Sequence, residues 1–281
     1  MKEKWDVDIK PQNKLLDLNL KDVWTYKDLL FLFVKRDFIA EYKQTILGPI
    51  WYLIEPIVTA LTYFIILHKM GGMPTDGLPP LLFYLSGLTI WNYFSTSLIK
   101  TSDTFIANSN IFGKVYFPRL IVPLSIIISN LIKFGLQFGL LIFFVFYFTI
   151  TGEFNFEWGW RLFLLPIPIF LMAGMSLGFG LLISSLTTKY RDLKFAMAFG
   201  IRLFMYASSV ILSINTMPQY FYNIFKWNPI AGIVELFRAI LLGVNSIDVF
   251  SIIYSVVFLI ILVFVGVVVF GKTEKNFMDT V

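Results

Sequence analysis

Long apolar blocks constrain this chain more than any other feature. Six of them lie at about 50–68, 81–99, 120–150, 162–186, 195–214 and 247–270. Each approaches or exceeds the roughly 20 residues a helix needs to cross a bilayer's hydrocarbon. Backbone in hydrocarbon must pair its own N–H and C=O groups, and a helix does so locally. The blocks therefore predict an all-α integral membrane protein with six transmembrane helices. Composition agrees. Charged residues are 15% and hydrophobic residues 57% of the chain, whereas a soluble domain carries about 25% charged residues.

The blocks differ in quality. The second holds Ser86, Asn92, Ser95, Thr96 and Ser97 and is the weakest. The third is too long for one perpendicular span, so it should tilt, bend near Pro123 or project beyond the bilayer. The fourth contains Gly174 and Gly178, a small-xxx-small pattern that serves either helix packing within the chain or a subunit interface. Before the first block, residues 1–20 read as a polar arm. Residues 22–45 read as a helix too short and charged to span, lying along the membrane interface. Between the last two blocks, 217–245 reads as one or two short helices re-entering the outer face, with Asn228-Pro229 before and Gly243 after the second. Glu235 and Arg238 stand three residues apart there and can pair.

Basic residues orient the spans. Lys2, Lys4, Lys10, Lys14, Lys21, Lys27, Lys35, Arg36 and Lys43 precede the first block. Lys100, Lys114 and Arg119, then Lys189, Arg191 and Lys194, then Lys272 and Lys275 fall on that same side. The other side has Lys69, Arg161, Lys226 and Arg238, with Trp158, Trp160, Tyr220, Tyr222 and Trp227 as an aromatic belt. Basic residues mark the cytoplasmic face, so both ends are expected inside. The net charge of +5 is then a topology signal, not a nucleic-acid one.

Several chemistries are excluded or weak. With no cysteine and one histidine, His68, the chain has no thiolate chemistry and no His-rich metal site. No catalytic constellation is visible. Gly266-Val-Val-Val-Phe-Gly271-Lys272-Thr273 matches a phosphate loop in letters, but it ends an apolar span and too little chain follows for a nucleotide-binding core. Glu55, Lys133 and Arg202 lie within the blocks. Glu55 and Arg202 stand near span ends and can reach headgroups. Lys133 is deeper and shares a helical face with Gln137 and Asn130, which suggests a polar stripe.

Ordered motifs then carry a resemblance. They are Val34-Lys-Arg-Asp-Phe-Ile-Ala-Glu-Tyr-Lys-Gln-Thr-Ile-Leu-Gly-Pro-Ile-Trp51 with Glu55-Pro56, Asn110-Ile-Phe-Gly-Lys-Val-Tyr-Phe-Pro118-Arg119, Tyr190-Arg191-Asp192-Leu193, Trp227-Asn-Pro-Ile-Ala-Gly-Ile-Val-Glu-Leu-Phe-Arg238, and Phe270-Gly-Lys-Thr-Glu-Lys-Asn-Phe277. Together they resemble the permease subunit of type-2 ABC exporters that move O-antigen, capsular polysaccharide or teichoic acid. Glu55 departs from the family, where an uncharged residue such as glutamine is common.

The resemblance implies a transport subunit, not an enzyme, in the bacterial cytoplasmic (inner) membrane. It implies a homodimer around a channel for a lipid-linked polysaccharide. Two copies of an ATPase subunit would hold ATP and Mg2+, so that this chain binds no cofactor. It implies an arm and interfacial helix over 1–48 and a six-helix domain over 49–281. A coupling helix at about 103–114, with Asp103, Asn108, Asn110 and Lys114, would meet the ATPase beside Tyr190, Arg191 and Asp192. Lys133, Gln137 and Arg202 are the candidate channel or intramembrane polar residues. Tyr220, Trp227, Glu235 and Arg238 belong to the outer gate. Export of a lipid or drug, a polyprenyl-lipid transferase and a passive channel stay open as alternatives. A transferase would need clustered acidic residues at a membrane edge, and the sequence has none.

Overall fold

The computed structural model describes residues 20–43, 48–115, 117–214, 217–244 and 248–277. The arm over 1–19, Thr45 at the end of the expected interfacial helix, and residue 245 lie outside the described residues. Among those described, every regular element is helical and none is a strand.

Short helices α1 (Leu20–Thr25) and α2 (Lys27–Tyr42) come first. The first long rod is composite: a 3-10 turn at Gly48–Ile50, α3 (Trp51–Tyr63) and a π-helical stretch at Phe64–Met70. Then come α4 (Pro80–Ser102), the single turns α5 (Thr104–Ala107) and α6 (Ser109–Phe112), and α7 (Ile121–Ile150). A 3-10 turn at Trp160–Leu164 leads into α8 (Pro166–Thr187), followed by α9 (Leu193–Tyr206). Last are α10 (Gln219–Lys226), α11 (Pro229–Leu242) and α12 (Val249–Phe277).

Among the described residues, four helical stretches are long and apolar enough to cross a membrane: Gly48–Met70, Ile121–Ile150, Trp160–Thr187 and Val249–Glu274. The second and fifth blocks are not among them, for different reasons. Helix α4, with 23 residues, is about 34 Å long but carries many hydroxyl and amide side chains. It is also the centre of the core: Leu82, Phe83, Tyr84 and Ile90 have no exposed surface, and α3, α7, α8 and α11 surround it. A helix so enclosed need not be apolar on every face. Helix α9 has 14 residues, about 21 Å against roughly 30 Å of hydrocarbon. Beyond Tyr206 the chain continues as irregular backbone, with Ser208, Ser209, Val210 and Ile211 buried.

Helix α7 runs unbroken past Pro123. The proline stands in the first turn, where no intrahelical N–H is needed. The fourth-block glycines pack within the chain: a Cβ on Gly174 would meet Leu259 at 2.7 Å, and one on Gly178 would meet Leu262 at 2.8 Å. Opposite them, a Cβ on Gly266 would stand 2.9 Å from the Gly178 carbonyl oxygen. The small residues thus let α8 and α12 touch backbone to backbone. The phosphate-loop letters at 266–273 lie wholly inside helix α12, so no loop exists there to cradle a phosphate.

Contacts define two ends of the bundle. At the proximal end, α2 meets α4 through Glu41 and Lys100, Phe105 stacks on Phe270 at 4.5 Å, and Arg119 donates to the Glu274 carbonyl at 2.5 Å. At the distal end, Ser213 donates to Asp76 at 2.5 Å, and Asn228 donates to the Ala207 carbonyl at 2.7 Å. The long elements alternate in direction between these ends.

Candidate functional site

The expected coupling helix over 103–114 is two turns instead of one helix. Its break falls at Asn108, whose side chain donates to the Thr104 carbonyl at 3.0 Å. That bond competes with continued helix. The two turns bury Thr104, Phe105, Asn108 and Phe112 and leave Asn110 and Lys114 exposed. Tyr190, Arg191 and Asp192 are exposed as well. The structure brings these two connections together: Lys194 Nζ lies 2.5 Å from Asp103 Oδ2, and the Thr187 hydroxyl donates to the Ser102 carbonyl at 3.0 Å. They form one surface at the proximal end, beside α2.

A second cluster lies deeper. Lys133 is 5% exposed, and its ammonium pairs with Glu41 of α2. Lys100 Nζ reaches the other Glu41 oxygen at 2.9 Å, and Lys133 also sits over the Tyr52 ring at 5.0 Å from its centre. Burial pushes the Glu41 carboxyl up, but hydrogen bonds from Lys133, Tyr52 and Lys100 outweigh it and hold the group below its ordinary value. Asn130, Lys133 and Gln137 of α7 are all buried. Asn130 donates to Ser97 at 3.2 Å, and Gln137 accepts from Asn92 at 3.5 Å. A cleft of about 420 Å³ opens beside the cluster, lined by Arg36, Glu41, Lys100, Asp103 and Asn130 among others. Arg202 does not join it. It is exposed on α9, as Glu55 is on α3.

The distal cluster centres on Arg238, which has no exposed surface. Its guanidinium donates to the carbonyls of Ser209 at 2.6 Å, Val210 at 2.7 Å and Phe83 at 3.3 Å, and to the Ser86 hydroxyl at 3.3 Å. It pairs with Glu235 at 3.3 Å, as the spacing predicts, and stacks over Phe83 at 3.9 Å. Glu235 also accepts from Ser209, whose φ of 55° is left-handed. One arginine thus joins α11, α4 and the irregular segment after α9. A planar fork of five donors suits several carbonyls at once. Tyr220 and Trp227, also expected here, are exposed. Trp227 packs edge-on against Phe250 and Tyr254 of α12, at 5.9 and 5.5 Å.

Sequence reading missed Glu41, Tyr52, Lys100 and Lys194 as partners, along with Asp76 and Ser209. One signal was available: a lysine as deep as Lys133 requires an acid, and Glu41 is one of three acids in α2, with Asp28 and Asp37. Among the described residues, no group of three or more His, Cys, Asp or Glu side chains could hold a metal ion.

Over 253 residues, 90% of this chain and 94% of the relative, the sequence is 27% identical to an O-antigen export system permease protein RfbA of Klebsiella pneumoniae. An RfbA of the same description from Myxococcus xanthus is 22% identical over 79% of this chain and 83% of its own length. The polysialic acid transport protein KpsM of Escherichia coli is 24% identical over 90% of this chain and 95% of its own. The ABC-2 type transporter family matches residues 28–242, from the start of α2 to the end of α11. The chain belongs to the ABC-2 type transporter family.

Proposed function

We propose that this chain is the channel-forming permease subunit of an ATP-driven exporter for a lipid-linked, O-antigen-like polysaccharide. The observation that carries this reading is the similarity, over nine-tenths of the chain, to permeases named for O-antigen and polysialic acid export. In this reading six segments cross the bacterial inner membrane, with both ends cytoplasmic. Two arguments support six. Helix α4 is long enough to cross and is shielded by its neighbours. Helix α9 is followed by irregular backbone that is buried in protein, where a membrane tolerates it. The basic side chains near the proximal end favour that end as cytoplasmic.

ATP and Mg2+ act on a separate subunit, in two copies, which docks on the surface formed by Asn110, Lys114, Tyr190, Arg191 and Asp192. The permease is a homodimer, with residues 1–48 as an arm and interfacial helix ahead of the membrane domain. Helices α10 and α11 cap the outer exit. Purification from native membrane tests the class: an ATPase subunit should come down in equal copy number, and the chain alone should hydrolyse no ATP. Cells lacking the chain should retain lipid-linked polymer on the cytoplasmic leaflet. Unchanged surface polysaccharide in those cells would refute the cargo.

A further inference from the structure

Helix α9 is held mainly at its two ends. Along its length only Ile201 is buried, while Phe195, Phe199, Leu203 and Tyr206 are exposed. Its side contacts are sparse: Phe204 meets Trp91 at 6.3 Å between ring centres, and a Cβ on Gly200 would meet nothing within 4 Å. Its two ends are fixed by directional polar bonds. At the proximal end, Lys194, in its first turn, pairs with Asp103. Asp103 is the residue on which α4 ends and α5 begins. At the distal end, Asn228 donates to the Ala207 carbonyl at 2.7 Å while its own side-chain oxygen caps α11 by accepting from Ile230 N at 3.0 Å. Arg238, also of α11, holds the next carbonyls, those of Ser209 and Val210.

We propose that α9 is a strut: it carries movement of the 103–114 connection, through the Asp103–Lys194 pair, to α11 and the outer cap. This rests on the exporter reading. A helix with its internal hydrogen bonds intact moves as a stiff body. Loose side packing lets such a body shift without breaking a core, while the end bonds define what it pulls. The left-handed Ser209, just past the helix, is a backbone conformation rarely held by residues other than glycine and stands where a pivot is needed. Asp103 and Lys194 are positioning residues here. Lys194 is half exposed, so the pair adds little to stability, and its effect should be read in motion.

The chain has no cysteine, so Tyr220→Cys on α10 gives a single reporter at the outer cap. The complex with its co-purified ATPase, in nanodiscs, is labelled with a maleimide with and without ATPγS and Mg2+. In the parent, the labelling rate should differ between the two states by about fivefold or more, the low end of allosteric coupling. Lys194→Glu should abolish that difference without lowering the melting temperature. Asp103→Lys with Lys194→Asp should restore it. If Lys194→Glu fails to assemble, Lys194→Gln carries the same comparison. An undiminished nucleotide response in the Lys194 variant, or no recovery in the charge swap, overturns the strut. A parent complex that contains no ATPase overturns the exporter reading itself, and the strut with it.

Discussion

Glu41 should matter more to the fold than either lysine it binds. Lys133 is the buried partner, its side chain 6% exposed, while the Lys100 side chain is 40% exposed. Replacing Glu41 with glutamine leaves the Lys133 ammonium inside the bundle without a counter-charge. Breaking a buried pair from one side costs about 3–5 kcal/mol. The Lys100 half of the interaction is solvent-screened and contributes about 0–1 kcal/mol. Lys133→Met removes the buried charge together with its desolvation, and Glu41 keeps Lys100. That variant should cost under about 2 kcal/mol, because apolar replacement of a buried charge is often close to neutral. The double variant should then cost little more than Lys133→Met alone. Reversible unfolding in mixed bicelles, followed by tryptophan fluorescence, gives all three values and the coupling between them. Equal losses for the two single variants, with simple additivity in the double, would falsify the claim that Glu41 exists to hold Lys133.

The remaining expectations are shorter. Glu41 titrates below its ordinary value of 4.5, so its contribution is fully present above about that pH and is lost as pH falls through the lower folded value. Unfolding midpoints of the parent should fall below pH 4.5 more steeply than those of Glu41→Gln. Gly87→Ala should be severely destabilising, because the new Cβ would stand 2.5 Å from Arg238 Nη2 and 2.7 Å from the Val210 carbonyl oxygen; overpacking costs about 1–3 kcal/mol or more. Gly139→Ala on α7 meets nothing within 4 Å and should be neutral or stabilising by up to about 1 kcal/mol, so parallel melting curves of the two variants separate contact from helix propensity. Arg238→Lys should not rescue Arg238→Met, since an ammonium cannot span the Ser209, Val210 and Phe83 carbonyls as the guanidinium fork does; equal protease resistance of lysine variant and parent would count against this.

The apolar blocks made the long elements legible, because their signal is length and composition and needs no partner. Legibility failed where partners decide. In α4, hydroxyl side chains at Ser86, Thr89, Ser97 and Thr101 weaken the apolar signal, yet all four are buried. Ser86 donates to the Phe83 carbonyl and Thr89 to the Leu85 carbonyl, while Ser97 accepts from Asn130 of α7. At Asn108 the failure was local chemistry, one side-chain bond that splits an expected helix in two. The fifth block looked continuous to residue 214 because Val210, Ile211 and Leu212 are apolar. Nothing local shows that Arg238, 28 residues on from Val210, pairs with the carbonyls there and stabilises non-helical backbone.

The candidate site divides along the same line. Exposed residues of the proximal surface were recoverable from ordered motifs. The buried polar groups were recoverable only by charge balance. Lys133 and Arg238 are each a cation removed from water, and each must find acids or carbonyls inside the protein. That requirement can be read from sequence as a demand, but many residues can meet it. Glu235 met the demand of Arg238 because helical spacing placed it one turn away. Glu41 met the demand of Lys133 from another helix, 92 positions earlier in the chain. Helix periodicity names only the first kind of partner. The second kind is fixed by how α2 docks against α7, and it is the kind that ties α2 to the rest of the helical bundle.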